Sequence, residues 1–131
     1  MNELIEKIKK AHLIWICGNG GSAATAEHFT TDLIKKGYPA ICLNSNISVI
    51  TMIANDYGYD EIFSKQLIAL GDDPDLLITI SCSGTSTNIV RAIEASGRMM
   101  KYQFEIFGEE KNYGLLENKH LAFAHAVAAA L

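Results

Sequence analysis

"WICGNGGSAATAEHFTTDLIKKG", Trp15 to Gly37, runs from an apolar stretch through three glycines, an asparagine and a serine into an amphipathic one. The apolar part belongs to "LIWIC" (13–17), a continuous run of strand length, as expected for a strand buried on both faces. Residues 22–36 read as a helix, with Ser22 as its N-cap and Lys35, Lys36 and Gly37 closing it. A strand that enters a helix through glycines lets backbone N–H groups approach a ligand closely, and the positive end of the helix favours negative charge.

Outward from this unit the same alternation repeats. Residues 2–11 fit a short helix with Leu4, Ile5 and Ile8 on one face. "PAICL" (39–43) reads as a second strand, and residues 46–54 and 60–70 as two helices around the turn "NDYGYD". "DLLITIS" (75–81) is the strongest strand, followed by a helix over 86–98 that turns Ile89, Val90 and Ile93 inward and ends at Gly97. "KYQFEIF" (101–107) alternates like an edge strand with one wetter face, and residues 115–130 form an alanine-rich helix. The order β-α-β-α-α-β-α-β-α predicts an α/β three-layer sandwich, with a four- to five-stranded parallel sheet flanked by helices, in one domain over 1–131. Ligands of such sheets bind beyond the carboxyl ends of the strands, where both glycine/serine loops lie.

Composition narrows the function classes. With 131 residues and a net charge of −4, the chain is expected to bind no nucleic acid, because phosphate backbones are met by basic surfaces. No apolar run approaches the length of a membrane span, and "MNELIEKIKKAH" lacks the apolar core of a secretory signal. Cys17, Cys42 and Cys82 sit in or beside apolar runs, which suggests buried thiols in the cytoplasm rather than a disulfide frame or zinc finger.

Gly18, Gly20 and Ala23 formally match the dinucleotide fingerprint, but no acidic residue follows between Gly37 and Thr51 to hold a ribose. A P-loop is excluded, since no Gly-Lys-Ser/Thr follows. A tight turn with no ligand remains the plain alternative, although it needs fewer glycines and no serine. The second loop, "SCSGTSTN" (81–88), clusters Ser81, Ser83, Thr85 and Ser86 around Gly84 where a buried strand meets a helix. Helix capping would use one hydroxyl; four, with the N–H groups of the helix start, suit a phosphate held by neutral donors. His28 and Asp32, at i and i+4, share a helix face and could bind a divalent metal, act in acid–base chemistry, or simply touch.

"CGNGGSAATAEHF", "ANDYGYDEIFS" and "ISCSGTSTNIVRAI", in this order and spacing, resemble the sugar isomerase (SIS) domain, and within it the phosphoheptose isomerase branch. The resemblance implies a shortened SIS fold that binds a small-molecule phosphosugar and interconverts sedoheptulose 7-phosphate with D-glycero-D-manno-heptose 7-phosphate. The alternative is a non-catalytic SIS module that binds a phosphosugar or a protein partner. Mapped by motif, Asn19, Gly20, Gly21, Ser22, Asn55 and Asp56 would contact substrate, with Ser81, Cys82, Ser83 and Ser86 as the phosphate cradle. The family carries His and Glu where this chain has His28 and Asp32, and Gln and His where it has Glu117 and His125. The resemblance therefore implies Asp32 as base, His125 as its acid partner, and His28, Asp32, Glu117 and His125 as a shell for one Zn²⁺ per site. It also implies a homo-oligomer, dimer or tetramer. Only about a dozen residues precede the first strand here, and "GEEKNYG" stands where relatives continue through a further strand.

Overall fold

Ile14 and Ile16 point to one face of the first strand, Trp15 and Cys17 to the other, and all four are buried. This period of two distributes the core between both faces of the sheet, which is why an unbroken apolar run is needed. The computed structural model describes residues 1–106, 108 and 111–131; the fourth strand, expected over 101–107, runs only from Met100 to Gln103, with 104–106 outside it and Phe107 outside the described residues. The strands are β1 (Ile14–Gly18), β2 (Ala40–Cys42), β3 (Leu76–Ile80) and β4 (Met100–Gln103). They pair in parallel in the order β2-β1-β3-β4. Among the described residues the helices are α1 (Asn2–Lys10), α2 (Gly21–Lys35), α3 (Ile47–Asp56), α4 (Ser64–Leu70), α5 (Thr87–Ala95) and α6 (Tyr113–Ala130), with a 3₁₀ turn at Tyr59–Glu61.

Two apolar clusters make the three layers. Leu4, Ile8, Phe29, Leu33, Phe104 and Val127 pack with Ile14, Ile16, Ile78 and Ile80 under α1, α2 and α6. Ile53, Phe63, Leu67 and Ile89 pack with Trp15, Cys17 and Leu77 under α3, α4 and α5. The buried Asp75 is held by Trp15 Nε1–H at 2.8 Å and its own turn's Asp72 N–H at 3.0 Å, so its carboxylate is not left unpaired. Among the described residues no helix is long and apolar enough to cross a membrane.

Three local expectations need correction. The N-cap of α2 is Gly20, not Ser22, because the chain turns at φ +56° there and the helix starts one residue after it. Ser22 thereby falls in the first turn, buried, with its side chain at the sheet's carboxyl end. Val90 is exposed; α5 instead buries Asn88, Ile89 and Ala92. The segment 60–70 is a 3₁₀ turn followed by α4 rather than one helix.

Candidate functional site

β1 and β3 are neighbours and their chains leave in opposite directions, β1 to β2 on one side and β3 to β4 on the other. The cleft at such a switch point lies between the loops that follow the two strands. Gly18 closes the base of this cleft. A Cβ there would lie 2.6 Å from the Ser22 backbone and 2.8 Å from the Ile80 carbonyl oxygen, so only glycine lets the two loops meet. Asn44 brackets the Gly18 peptide from the β2 side, donating to its carbonyl at 2.8 Å and accepting from its N–H at 3.2 Å.

A pair of amides ties the two loops together. Asn19 and Asn88 exchange hydrogen bonds in both directions at 2.9 Å, and the Tyr59 hydroxyl donates to Asn19 Oδ1 at 3.1 Å. Asn88 is buried at the start of α5, so this bond joins the glycine loop to the serine loop from the inside. None of Asn44, Tyr59 and Asn88 was singled out by spacing; their partners lie 26 to 69 residues away in sequence.

Above the amide pair, Asn19, Ser22, Ser81, Cys82, Ser83 and Ser86 line one hollow together with Tyr113 and Glu117 of α6. Ser81 Oγ accepts from Gly84 N–H at 3.0 Å and Ser83 Oγ from Thr85 N–H at 3.2 Å. Each hydroxyl that accepts in this way keeps its own proton to donate, so the turn bonds leave the loop a donor to anions. The hollow is about 90 Å³, well under the roughly 300 Å³ at which sites for larger ligands begin, which argues against a dinucleotide. Gly20 and Gly21 form the exposed crest of the first loop beside it. Burial raises the Cys82 thiol above its ordinary pKa, the Glu117 charge raises it further, and the Ser22 hydroxyl acts in the opposite sense. Cys82 is therefore a neutral wall of the hollow at pH 7, not a thiolate nucleophile.

Asn55 and Asp56 do not reach this hollow. They sit exposed at the end of α3, where Asn55 Nδ2 donates to Asp56 Oδ1 at 2.9 Å. The turn "NDYGYD" reaches the loops through Tyr59 instead.

Further along the α2–α6 contact lies a second group. His28 Nε2 is 3.5 Å and His125 Nδ1 3.3 Å from the same Asp32 oxygen, Oδ2, and the two imidazoles meet edge to face at 4.8 Å. Asp32 Oδ2 is buried without a hydrogen bond. A buried carboxylate oxygen in that state is costly unless a cation or proton meets it. Tetrahedral zinc with bonds of about 2.0–2.1 Å places its ligand atoms about 3.3 Å apart, close to both observed separations. The three donor atoms of His28, Asp32 and His125 all lie within 4.8 Å of one another, and two imidazoles with one carboxylate are a donor set that suits a divalent metal ion such as zinc.

Glu117 is not in that group. Eight residues bring it to within about 80° of His125 around α6 but leave it about 12 Å away along the axis. Its carboxylate lies instead against Gly21, where a Cβ would overlap it. His120, between the two, turns to the core and donates from Nε2 to the Glu105 carbonyl at 2.6 Å.

The family model described as SIS domain matches residues 2–100. A phosphoheptose isomerase of Colwellia psychrerythraea is 57% identical over 86 residues, which cover 61% of this chain and 44% of the relative. A phosphoheptose isomerase of Helicobacter pylori is 50% identical over 97 residues, 70% of this chain and 50% of the relative. The chain spans about half the length of the curated relatives it matches. The solved structure of phosphoheptose isomerase GmhA from Neisseria gonorrhoeae superposes with a TM-score of 0.90 at 29% identity, covering 98% of this chain and 80% of that one.

Proposed function

The chain belongs to the SIS-domain family, on its phosphoheptose isomerase branch, and we propose that it interconverts sedoheptulose 7-phosphate and D-glycero-D-manno-heptose 7-phosphate. The observation that carries this reading is that both groups are built on the same pair of helices. The serine-lined hollow and the His28–Asp32–His125 group lie on the same two helices, six residues apart on α2 from Ser22 and eight on α6 from Glu117. Those steps are about 9 and 12 Å of helix rise. An extended seven-carbon sugar phosphate, with bonds of about 1.5 Å in a zigzag, spans about 9–10 Å from C1 to phosphorus. A phosphate held by Ser81, Ser83 and Ser86 then delivers C1 and C2 to the second group.

Isomerisation moves a proton between C1 and C2. Asp32 takes it from the carbon beside the carbonyl, and His125, 3.3 Å from the Asp32 carboxylate, serves as the acid partner for the sugar oxygen. His28 Nε2 approaches the same Asp32 oxygen at 3.5 Å, beside His125. His28, Asp32 and His125 would hold Zn²⁺, which when bound supplies Lewis-acid polarisation of the sugar oxygens. Exposed Ile47, Met52 and Tyr57 of α3 and its cap support a homo-oligomer, and three buried free cysteines suit the cytoplasm.

The test is incubation of the purified chain with sedoheptulose 7-phosphate, with and without Zn²⁺, followed by NMR of the sugar. Formation of the aldose, lost in Asp32→Asn, supports the enzyme. Binding of the sugar phosphate without turnover, in any metal condition, makes the chain a non-catalytic phosphosugar module.

A further inference from the structure

The hollow that suits a phosphate already contains a negative charge. Glu117 enters it from the first turns of α6, and its carboxylate rests on Gly21 at the start of α2. Gly21 is the first residue of a fifteen-residue helix, so the carboxylate sits at the positive end of the α2 dipole, the place an anionic ligand would take. The contact depends on glycine, because any Cβ at position 21 would overlap the carboxylate. Among the described residues no lysine or arginine lines the hollow, and none forms a salt bridge with Glu117. Its field is felt nearby, where it helps raise the Cys82 thiol. Ser81, Ser83 and Ser86 present neutral donors to the same space.

We propose that Glu117 is a resident anion of this hollow and a specificity-determining residue: it occupies and repels at the point where a ligand's phosphate must enter. The proposal rests on the reading of the serine loop as a phosphate cradle. It assigns Glu117 to the phosphate end of the site rather than to the His28–Asp32–His125 group, and it follows from the position of the carboxylate, not its titration. A ligand must then displace the Glu117 side chain by rotation or bind against its charge. The hollow therefore holds phosphate more weakly than its hydroxyls alone would allow.

The test is titration of inorganic phosphate, followed by ³¹P NMR at pH 7.5 in chelator-treated buffer, into the full chain and Glu117→Gln. The amide keeps the shape and removes the charge. Removal of one like charge near a protein surface should tighten phosphate binding by about tenfold at low salt. The gain should shrink to about twofold or less in 0.5 M salt, where the screening length falls to a few ångströms. Glu117→Ala, which removes charge and bulk together, should tighten binding in the same direction. Unphosphorylated sedoheptulose should show no such gain. Equal phosphate affinity in wild type and Glu117→Gln would overturn the role of Glu117 and leave the cradle standing. A gain that salt does not reduce would overturn the electrostatic account. Phosphate binding to neither protein would instead overturn the cradle, and this inference with it.

Discussion

Gly18→Ala should cost more stability than any other single methyl added to a glycine in the loops, and it should loosen the site as it does so. The new Cβ would stand 2.6 Å from both the carbonyl carbon and oxygen of Ser22 and 2.8 Å from the Ile80 carbonyl oxygen, against 3.4–4 Å for ordinary contact. All three atoms are backbone, one set in the first turn of α2 and the other at the end of β3, so no side chain can rotate away. Overpacking of this kind costs about 1–3 kcal/mol, and rigid neighbours place it near the upper end, about 3 kcal/mol. For a domain between the usual small and medium sizes, that lowers Tm by about 10–15 °C. Gly114→Ala supplies the control: Gly114 is in the first turn of α6, and the nearest atom, Asn112 Oδ1, would be 3.6 Å from a Cβ. There the methyl should leave stability unchanged or raise it by up to about 0.5 kcal/mol, the lower part of the glycine-to-alanine gain, since the first turn is not a helix interior. Differential scanning fluorimetry compares the two, and phosphate titration of the still-folded Gly18→Ala protein should show weakened binding, because the loops are forced apart. A Tm within 3 °C of wild type would refute the close approach at Gly18. So would unchanged phosphate binding in a protein that had lost the expected stability.

Zn²⁺ should raise the melting temperature of the wild type, since an ion that binds only the folded state stabilises it by mass action; His28→Ala and His125→Ala should each abolish the rise, as read by scanning fluorimetry. Ser83→Ala and Ser86→Ala should each weaken sugar-phosphate binding by about 1–2 kcal/mol in calorimetry, the cost of one hydrogen bond to a charged group; unchanged affinity in both would move the phosphate elsewhere. The Ser64 hydroxyl, and then Arg91, hold the Glu61 carboxyl below its ordinary value of 4.5. A depressed carboxylate contributes stability that is present above that value and lost as pH falls through the lower folded one, so Glu61→Gln should flatten the fall of Tm below pH 4.5.

The fold was legible because its strands carry their burial in their composition. Ile14 to Cys17 are apolar on consecutive residues, and Leu76 to Ile80 are broken only by the buried Thr79, as expected of a sheet covered on both faces. The clustering of serines between Ser81 and Ser86 pointed to a hollow because strand, loop and helix follow one another locally. His28 and Asp32 also declared themselves through the i, i+4 spacing, and His125 joins them in the folded chain. What spacing could not supply was depth along an axis: Glu117 and His125 face related directions but stand about two turns apart on α6. Nor could it show that Asn19 and Asn88 pair across 69 residues, since asparagines leave no periodic trace. Serine at position 22 suggests a cap because its side chain favours that role, whereas the positive φ of Gly20 decides where α2 begins.

The central claim is that the serine loop and the His28–Asp32–His125 group work on the two ends of one seven-carbon sugar phosphate. Its most direct test is the ratio of kcat/KM for sedoheptulose 7-phosphate to that for ribulose 5-phosphate, measured on the Zn²⁺-supplied protein by NMR of the aldose formed. Both sugars offer the same ketose end and the same phosphate, and differ by two carbons, or about 2.5 Å of reach. If the two groups are set that far apart, the shorter sugar cannot hold its phosphate and present C1 together. A displacement of that size should favour the seven-carbon sugar by at least about 100-fold. Comparable kcat/KM values for the two sugars would contradict the account.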